Sequence, residues 1–183
     1  MDHRLQQMLD HHEIRTVLSE YCHGCDRLDQ VRMASVYLDG SWDDHGVHKM
    51  PGSAFAEVAT SSLLKDSNMC VHHLGQSLIR IDGDEAGADT YFIAVLRRTV
   101  EDGQEILDQM GGRFVDRFRR HNGKWKISHR TCVREWSISH PVQQDWLIGM
   151  PFVNGERSGR DPSFLVLNIK HSGIPVHSAS HEA

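Results

Sequence analysis

The sequence predicts an α+β fold, a cone-shaped barrel in which three N-terminal helices pack on a curled, mainly antiparallel sheet. Helix caps and apolar positions at steps of three and four occupy the first third of the chain, and from Met69 the texture changes to long strands. The strands are separated by the tight polar turns Asp82-Gly83-Asp84, Glu101-Asp102-Gly103 and His121-Asn122-Gly123. Short hairpins of this kind make an antiparallel meander, and helices placed before it segregate to one face. Strands this long curl, and a curled sheet closed by helices has an interior that suits a ligand.

The elements follow in order. Asp10 has the position of a helix cap, Glu13 completes a capping box, and Leu9 with Ile14 have staple spacing. The helix is expected to run to about Leu28, with Ile14, Val17, Leu18, Tyr21, Cys22 and Cys25 as its apolar stripe. Asp29 caps a short second helix, Val31 to Leu38, followed by Gly40 and a strand around Ser41 to His45. Met50-Pro51-Gly52-Ser53 breaks the chain and opens a third helix, about Ala54 to Lys65. Four strands are then expected at roughly 70 to 82, 86 to 100, 104 to 120 and 124 to 137. The domain is read as residues 1 to 140. Residues 141 to 170 form an extension interrupted by Gly and Pro, yet carrying Trp146, Leu147, Phe152, Phe164, Leu165 and Leu167. So apolar a segment is expected to dock on the domain or on a neighbouring subunit, with 171 to 183 a disordered tail.

Composition narrows the function. With 183 residues, 39% apolar and 25% charged, the chain fits one globular domain. A net charge of −5 supplies no footprint for a phosphate backbone, so no nucleic-acid partner is expected. No stretch approaches the roughly 20 apolar residues that cross a bilayer, and the first residues lack the layout of a signal peptide, so the expectation is a cytoplasmic protein with no membrane partner. Four cysteines in a chain this long read as free thiols.

Asp26 is the most informative residue, because it sits on the apolar stripe one turn beyond Cys22. A carboxylate there needs a donor to meet it, unless it lies past the helix end in solvent. His72 and His73 are consecutive on a strand, so one points inward and can meet Asp26; the alternative is two histidines satisfied at a sheet edge. An aspartate on one ring nitrogen fixes the tautomer and raises the basicity of the other, which makes a general base. Cys22-His23-Gly24-Cys25 has the spacing of a zinc half-site without a second close pair, so small side chains packing a helix on a sheet is the plainer reading. Gly24 inside a helix suggests close approach by substrate or by another backbone. Asp43, Asp44, His45 and His48 are metal-like in type, but at a strand end adjacent residues face opposite ways, which points to a structural or solvated role. The Tyr21 hydroxyl either enters the cavity or marks the rim of a core tyrosine, and Arg130 and Arg113 are either inward cations or solvated ones.

Glu13-Ile14-Arg15, Tyr21, Asp26 with Asp29, Val71-His72-His73-Leu74-Gly75-Gln76, Asp82-Gly83-Asp84-Glu85-Ala86 and Trp125-Lys126-Ile127 followed by Arg130 together resemble the SnoaL-like branch of the nuclear transport factor 2-like superfamily. The resemblance spans about residues 5 to 140 and extends to hexachlorocyclohexane dehydrochlorinase, scytalone dehydratase and bile-acid 7α-dehydratase. It implies catalytic roles for Asp26 and His72, with His72 preferred to His73 by its distance from Gly75-Gln76, and supporting roles for Tyr21 and Arg130. Cys22, Trp42, His73 and Arg113 are the candidate substrate contacts.

The implied activity is a cofactor-independent lyase with no metal, eliminating water, halide or formaldehyde from a mostly apolar aromatic or alicyclic molecule. A homodimer or homotrimer is the implied assembly. The rivals are an isomerase or cyclase with the same pair, a binding or dioxygenase small-subunit-like assembly module, and a metal enzyme using His45, His48 and one of His72 or His73.

Overall fold

The computed structural model describes residues 2–143 and 145–167. In chain order the elements are α1 (His3–Asp26), α2 (Gln30–Ser35), β1 (Tyr37–His45), β2 (His48–Pro51), α3 (Gly52–Asp66), β3 (Met69–Asp82), β4 (Glu85–Thr99), β5 (Glu105–His121), β6 (Lys124–Pro141) and α4 (Pro162–Leu167). The sheet has the order β2-β1-β6-β5-β4-β3. All its pairings are antiparallel except β1 with β6. This is the α+β cone that the sequence predicts, with an open sheet whose edges are β2 and β3. Strand alternation supplies the inner face: Ala86, Ala88, Thr90, Phe92 and Ala94 of β4 are buried, and they meet Ile14, Leu18, Tyr21, Cys22 and Cys25 of α1 in one core with Phe55, Phe114, Phe118, Trp125 and Ile127.

The N-terminal helix begins earlier than its spacing suggests. Asp2 is the cap, accepting from the Arg4 N–H at 2.9 Å, and Asp10 lies inside the helix rather than before it. Asp10 stands one turn before Ile14 on the same buried stripe and is 3% exposed. There its carboxylate accepts from Arg120 Nη1 at 2.8 Å and Trp125 Nε1 at 3.1 Å. The Arg120 hydrogen bond, working against burial, holds Asp10 below the usual carboxylate range. A buried charge read from sequence as a cap is thus a tie between α1 and the β5–β6 hairpin.

The second helix stops at Ser35, because Tyr37 already pairs in parallel with Ile127 of β6. An irregularity between Tyr37 and Trp42, where Gly40 takes φ 75°, then re-aims β1. Strand β2 was not anticipated; it returns through a turn with Gly46 at φ 73° and ends on Pro51 at the sheet edge, where a missing N–H is tolerated. Strand β5 shifts register against β6 between Gly111 and Gly112. A Cβ on Gly112 would stand 2.2 Å from the Val133 carbonyl oxygen, so only glycine permits this approach.

The extension is held to the end of α1 by polar contacts. His23 Nε2 lies 3.0 Å from Ser163 Oγ, Arg27 pairs with Asp161 at 3.6 Å, and Arg157 Nη1 donates to the Ser67 carbonyl at 2.5 Å. Phe164 packs edge-on against His23. Of the apolar side chains expected to dock on the domain or on a neighbouring subunit, Trp146, Phe152, Leu165 and Leu167 are exposed on this chain. Residues 168–183, including the tail expected to be disordered, lie outside the described residues. Among the described residues no helix is long and apolar enough to cross a membrane.

Gly24 is the closest approach of α1 to α2: a Cβ there would stand 2.7 Å from the backbone nitrogen of Met33, which is fully buried. Gly24→Ala gains about 1 kcal/mol of helix propensity and loses up to about 3 kcal/mol to overpacking against backbone, for a net destabilisation of up to about 2 kcal/mol in urea unfolding.

Candidate active site

The last turn of α1 carries Asp26 to β3. Its carboxylate accepts twice from one residue there: the His72 backbone N–H donates to Oδ2 at 2.9 Å, and His72 Nδ1 donates to Oδ1 at 2.6 Å. Strand β3 is an edge, so an N–H directed away from β4 has no strand partner, and Asp26 satisfies it. Both side chains are about 10% exposed. With Nδ1 committed, Nε2 is the nitrogen left for proton exchange.

His72 forms part of the wall of a cavity of about 270 Å³ between the helices and the inner face of the sheet. The rest of the lining is mainly apolar: Phe55, Ala59, Leu63, Phe92, Ala94, Leu96, Met110 and Phe114, with Tyr21, Cys25, His45, His48, Ser62, Cys70 and Cys132 as its other functional groups. A larger depression of about 650 Å³, lined in part by Asp39, Arg80, Arg117 and Arg119, lies elsewhere on the sheet and contains neither Asp26 nor His72. The smaller cavity is the better candidate, because it joins an apolar wall to titratable groups with shifted protonation.

Burial disfavours the His72 imidazolium, but its hydrogen bonds to Asp26 and Cys70 and their charges outweigh it and raise its pKa to about 9. The Cys70 sulfur lies 3.8 Å from His72 Nδ1, and the Cys70 thiol is pulled down, first by its hydrogen bond to Cys25 and then by His72. Cys22 and Cys132 are pushed up to about 12 by burial and stay thiols. Cys25, Asp26, Cys70 and His72 bring one ligand atom each within 4.8 Å of one another, a donor set that suits zinc by type. A metal there would compete for the Nδ1 atom that Asp26 already holds.

The structure brings Tyr21 to the cavity wall, edge-on to Phe114 at 5.5 Å, with its hydroxyl 3.3 Å from His45 Nε2. Arg130 is fully buried but is not part of the lining. Its Nε and Nη2 donate to Asp116 at 2.8 and 2.7 Å, and its guanidinium stacks 4.1 Å from both the Tyr21 and the Phe114 ring centroids. Cys22 opens instead on a shallow cleft at the opposite side of the Asp26–His72 pair, shared with Ser19, His23 and Arg27.

Like Cys22, the other three expected substrate contacts are not brought to the cavity, and for these strand alternation is the reason. His73 follows His72 and turns to the outer face; Trp42 precedes the buried Asp43 and is 43% exposed. Arg113, next to Phe114 of the inner face, pairs on the outer face with Asp89 and Glu135. The same alternation places Asp43 and His45, two residues apart, on one face with the imidazole on the cavity wall. That is the feature sequence reasoning missed, and the Asp-x-His spacing was its signal. The metal alternative built on His45 and His48 meets the same fact: His45 Nδ1 bonds to Asp43 and Nε2 faces Tyr21.

The family model of the SnoaL-like domain matches residues 6–131. No curated protein sequence matches the chain. Among solved structures, the chain is similar to a scytalone dehydratase-like protein of Novosphingobium aromaticivorans, 16% identical over 80% of this chain and 97% of that one, with a TM-score of 0.65. It is similar also to a hexachlorocyclohexane dehydrochlorinase of Novosphingobium barchaimii, 18% identical over 82% and 99% of the two chains, TM-score 0.65. A type 2 hexachlorocyclohexane dehydrochlorinase is 19% identical over 82% and 97%, TM-score 0.66. At these identities the likeness shows the fold.

Because the pKa of His72 is raised above its ordinary value of 6.5, its pairing stabilises the fold fully below about pH 6.5 and loses that contribution as pH rises through about 9. Urea unfolding of the native chain should therefore lose about 3 kcal/mol across that window relative to His72→Gln. Equal pH dependence in the two proteins would show that Asp26 does not favour the imidazolium.

Proposed function

Given that the chain belongs to the SnoaL-like domain family, we propose that it is a cofactor-independent lyase that eliminates water, halide or formaldehyde from a small, mostly apolar aromatic or alicyclic molecule, with His72 as the base. The observation that carries this reading is the double hydrogen bond from His72 to Asp26 at the wall of an apolar cavity. An imidazole whose Nδ1 proton is held by a carboxylate accepts a proton at Nε2, and an apolar wall excludes the water that would compete for it. The similar structures include a dehydratase-like protein and a dehydrochlorinase, names of eliminating enzymes, which support the same chemistry.

In this reading His72 removes a proton from carbon or from a hydroxyl. The Tyr21 hydroxyl faces the charge that develops on the substrate or the departing group. Arg130 acts from behind: stacked on the Tyr21 ring and neutralised by Asp116, it fixes the phenol rather than touching substrate. The cavity of about 270 Å³ lies at the small end for ligand pockets and admits a molecule of one or two rings. The reading places the chain in the cytoplasm as a homodimer or homotrimer. Tyr91, Ile93, Val115, Trp136 and Ile138, exposed on the outer face of the sheet, supply an apolar surface for self-association.

A mass-spectrometric screen of hydroxylated and halogenated cyclic compounds, run beside His72→Ala and Asp26→Asn, tests the proposal. The expected result is a neutral loss with the native chain and a fall of about a hundred- to ten-thousand-fold in His72→Ala. A mass-neutral product shifts the assignment to an isomerase or cyclase. Binding without turnover, equal in all three proteins, makes it a binding module.

The pH profile follows from the same pair. If neutral His72 is the base, kcat/KM of the native chain rises with pH and levels off above about 9. In Asp26→Asn the plateau is lower and begins near the ordinary imidazole value, about 6.5. A profile that falls through pH 9 would instead make the imidazolium the working form, as an acid.

A further inference from the structure

The cavity holds a second carboxylate-bound imidazole, which the roles assigned so far leave unused. Asp43 is fully buried, and its two oxygens accept from the Tyr37 hydroxyl and from His45 Nδ1. The His45 ring lies flat on Phe55, 4.2 Å between centroids at 18°, and Nε2 lies 3.3 Å from the Tyr21 hydroxyl. Both imidazoles flank one aromatic ring: the Phe114 centroid is 6.2 Å from that of His45 and 6.5 Å from that of His72. An aspartate on one ring nitrogen and a phenol on the other make a chain along which a proton can pass to the phenol oxygen.

We propose that Asp43, His45 and Tyr21 form a proton-donating unit facing the same cavity as His72, and that the substrates are therefore small apolar alcohols that lose water rather than halides that lose an anion. The inference rests on the lyase reading. Chloride departs as a stable anion, whereas hydroxide is a poor leaving group and needs a proton as its C–O bond breaks. A cavity walled mostly by hydrocarbon would have no reason to hold a second positioned donor if its leaving groups needed none.

The step balances within these residues. His72 Nε2 takes the proton from carbon, the C–H electron pair becomes the new C=C bond, and the C–O bond breaks with its pair on oxygen. The Tyr21 hydroxyl proton passes to that oxygen, which leaves as water, and His45, which enters the step as the imidazolium with Nδ1–H on Asp43, replaces it from Nε2. His72 ends one proton richer and His45 one poorer, and exchange with water resets both. Tyr21 is the catalytic residue of this unit; His45 acts through it, and Asp43 is a positioning residue.

A matched pair of substrates reads the donor apart from the base. β-Hydroxycyclohexanone and β-chlorocyclohexanone both yield cyclohexenone, followed by its ultraviolet absorbance above the protein-free background. The native chain is expected to dehydrate the hydroxy ketone. His45→Gln and Tyr21→Phe are each expected to lower the ratio of water loss to chloride loss by about a hundredfold, whereas His72→Ala lowers both rates together. Tyr21→Phe keeps the ring on Phe114, so it decides the matter if His45→Gln fails to fold by circular dichroism. A ratio that moves less than tenfold in the folded variants, or a native chain that acts on the chloride alone, overturns the donor while leaving the lyase reading intact. A native chain inert towards both ketones overturns both.

Discussion

The site depends on a carboxylate that the sequence places where a carboxylate is costly. Asp26 ends the apolar stripe of α1, and leaving it unpaired there would cost several kcal/mol of desolvation. It is offset by two donors from one residue, the backbone N–H and Nδ1 of His72. Because the first is a main-chain group of an edge strand, the same carboxylate that orients the imidazole also ties α1 to the margin of the sheet. Helix position, strand edge and imidazole orientation are therefore one interaction seen from three sides. A shift of α1 along its axis would loosen all three, and Gly24, pressed against Met33, opposes such a shift.

A second buried charge pair works on the opposite wall. Arg130 and Asp116 neutralise each other in full burial, and the guanidinium lies against the faces of Tyr21 and Phe114. Cation–π contact with two rings fixes both without placing a charge in the cavity. The wall that results is rigid and apolar, with one hydroxyl at its rim, and the Asp43–His45 pair meets that hydroxyl from the side. On this wall the guanidinium charge is thus kept one layer behind the Tyr21 and Phe114 rings.

Much of this was legible because it is local. The polar turns mark the four long strands to within a few residues, with the greatest shortfall at the end of β6, and the apolar steps mark the stripe on which Asp26 stands. What was not legible depends on partners distant in sequence. Asp10 has every mark of a cap, and only Arg120 and Trp125, brought from β5 and β6, make it a buried anchor. Tyr37 has a place at the end of a helix until Ile127 offers it a parallel strand. Trp42, His73 and Arg113 stand off the cavity for a simpler reason: each was chosen for its chemistry, while the alternation that sends it outward was already in the sequence. The same rule, applied to Asp43 and His45, would have put both on one face.

The proton affinity of His72 carries one further consequence. At a pKa of about 9, only about a hundredth of the molecules hold a neutral imidazole at pH 7, although a base works best when its pKa lies near the working pH. Two opposed forces set that value: burial favours the neutral ring, and the hydrogen bonds to Asp26 and Cys70 favour the cation. An apolar substrate entering the cavity displaces water and adds to the first force alone, which brings the pKa down towards the working range. In the proposed lyase the resting pair would store the imidazolium, and an apolar molecule of the right size would release the base. Apolarity in the substrate would serve turnover as well as affinity, because a polar molecule that carried its water with it would leave His72 protonated.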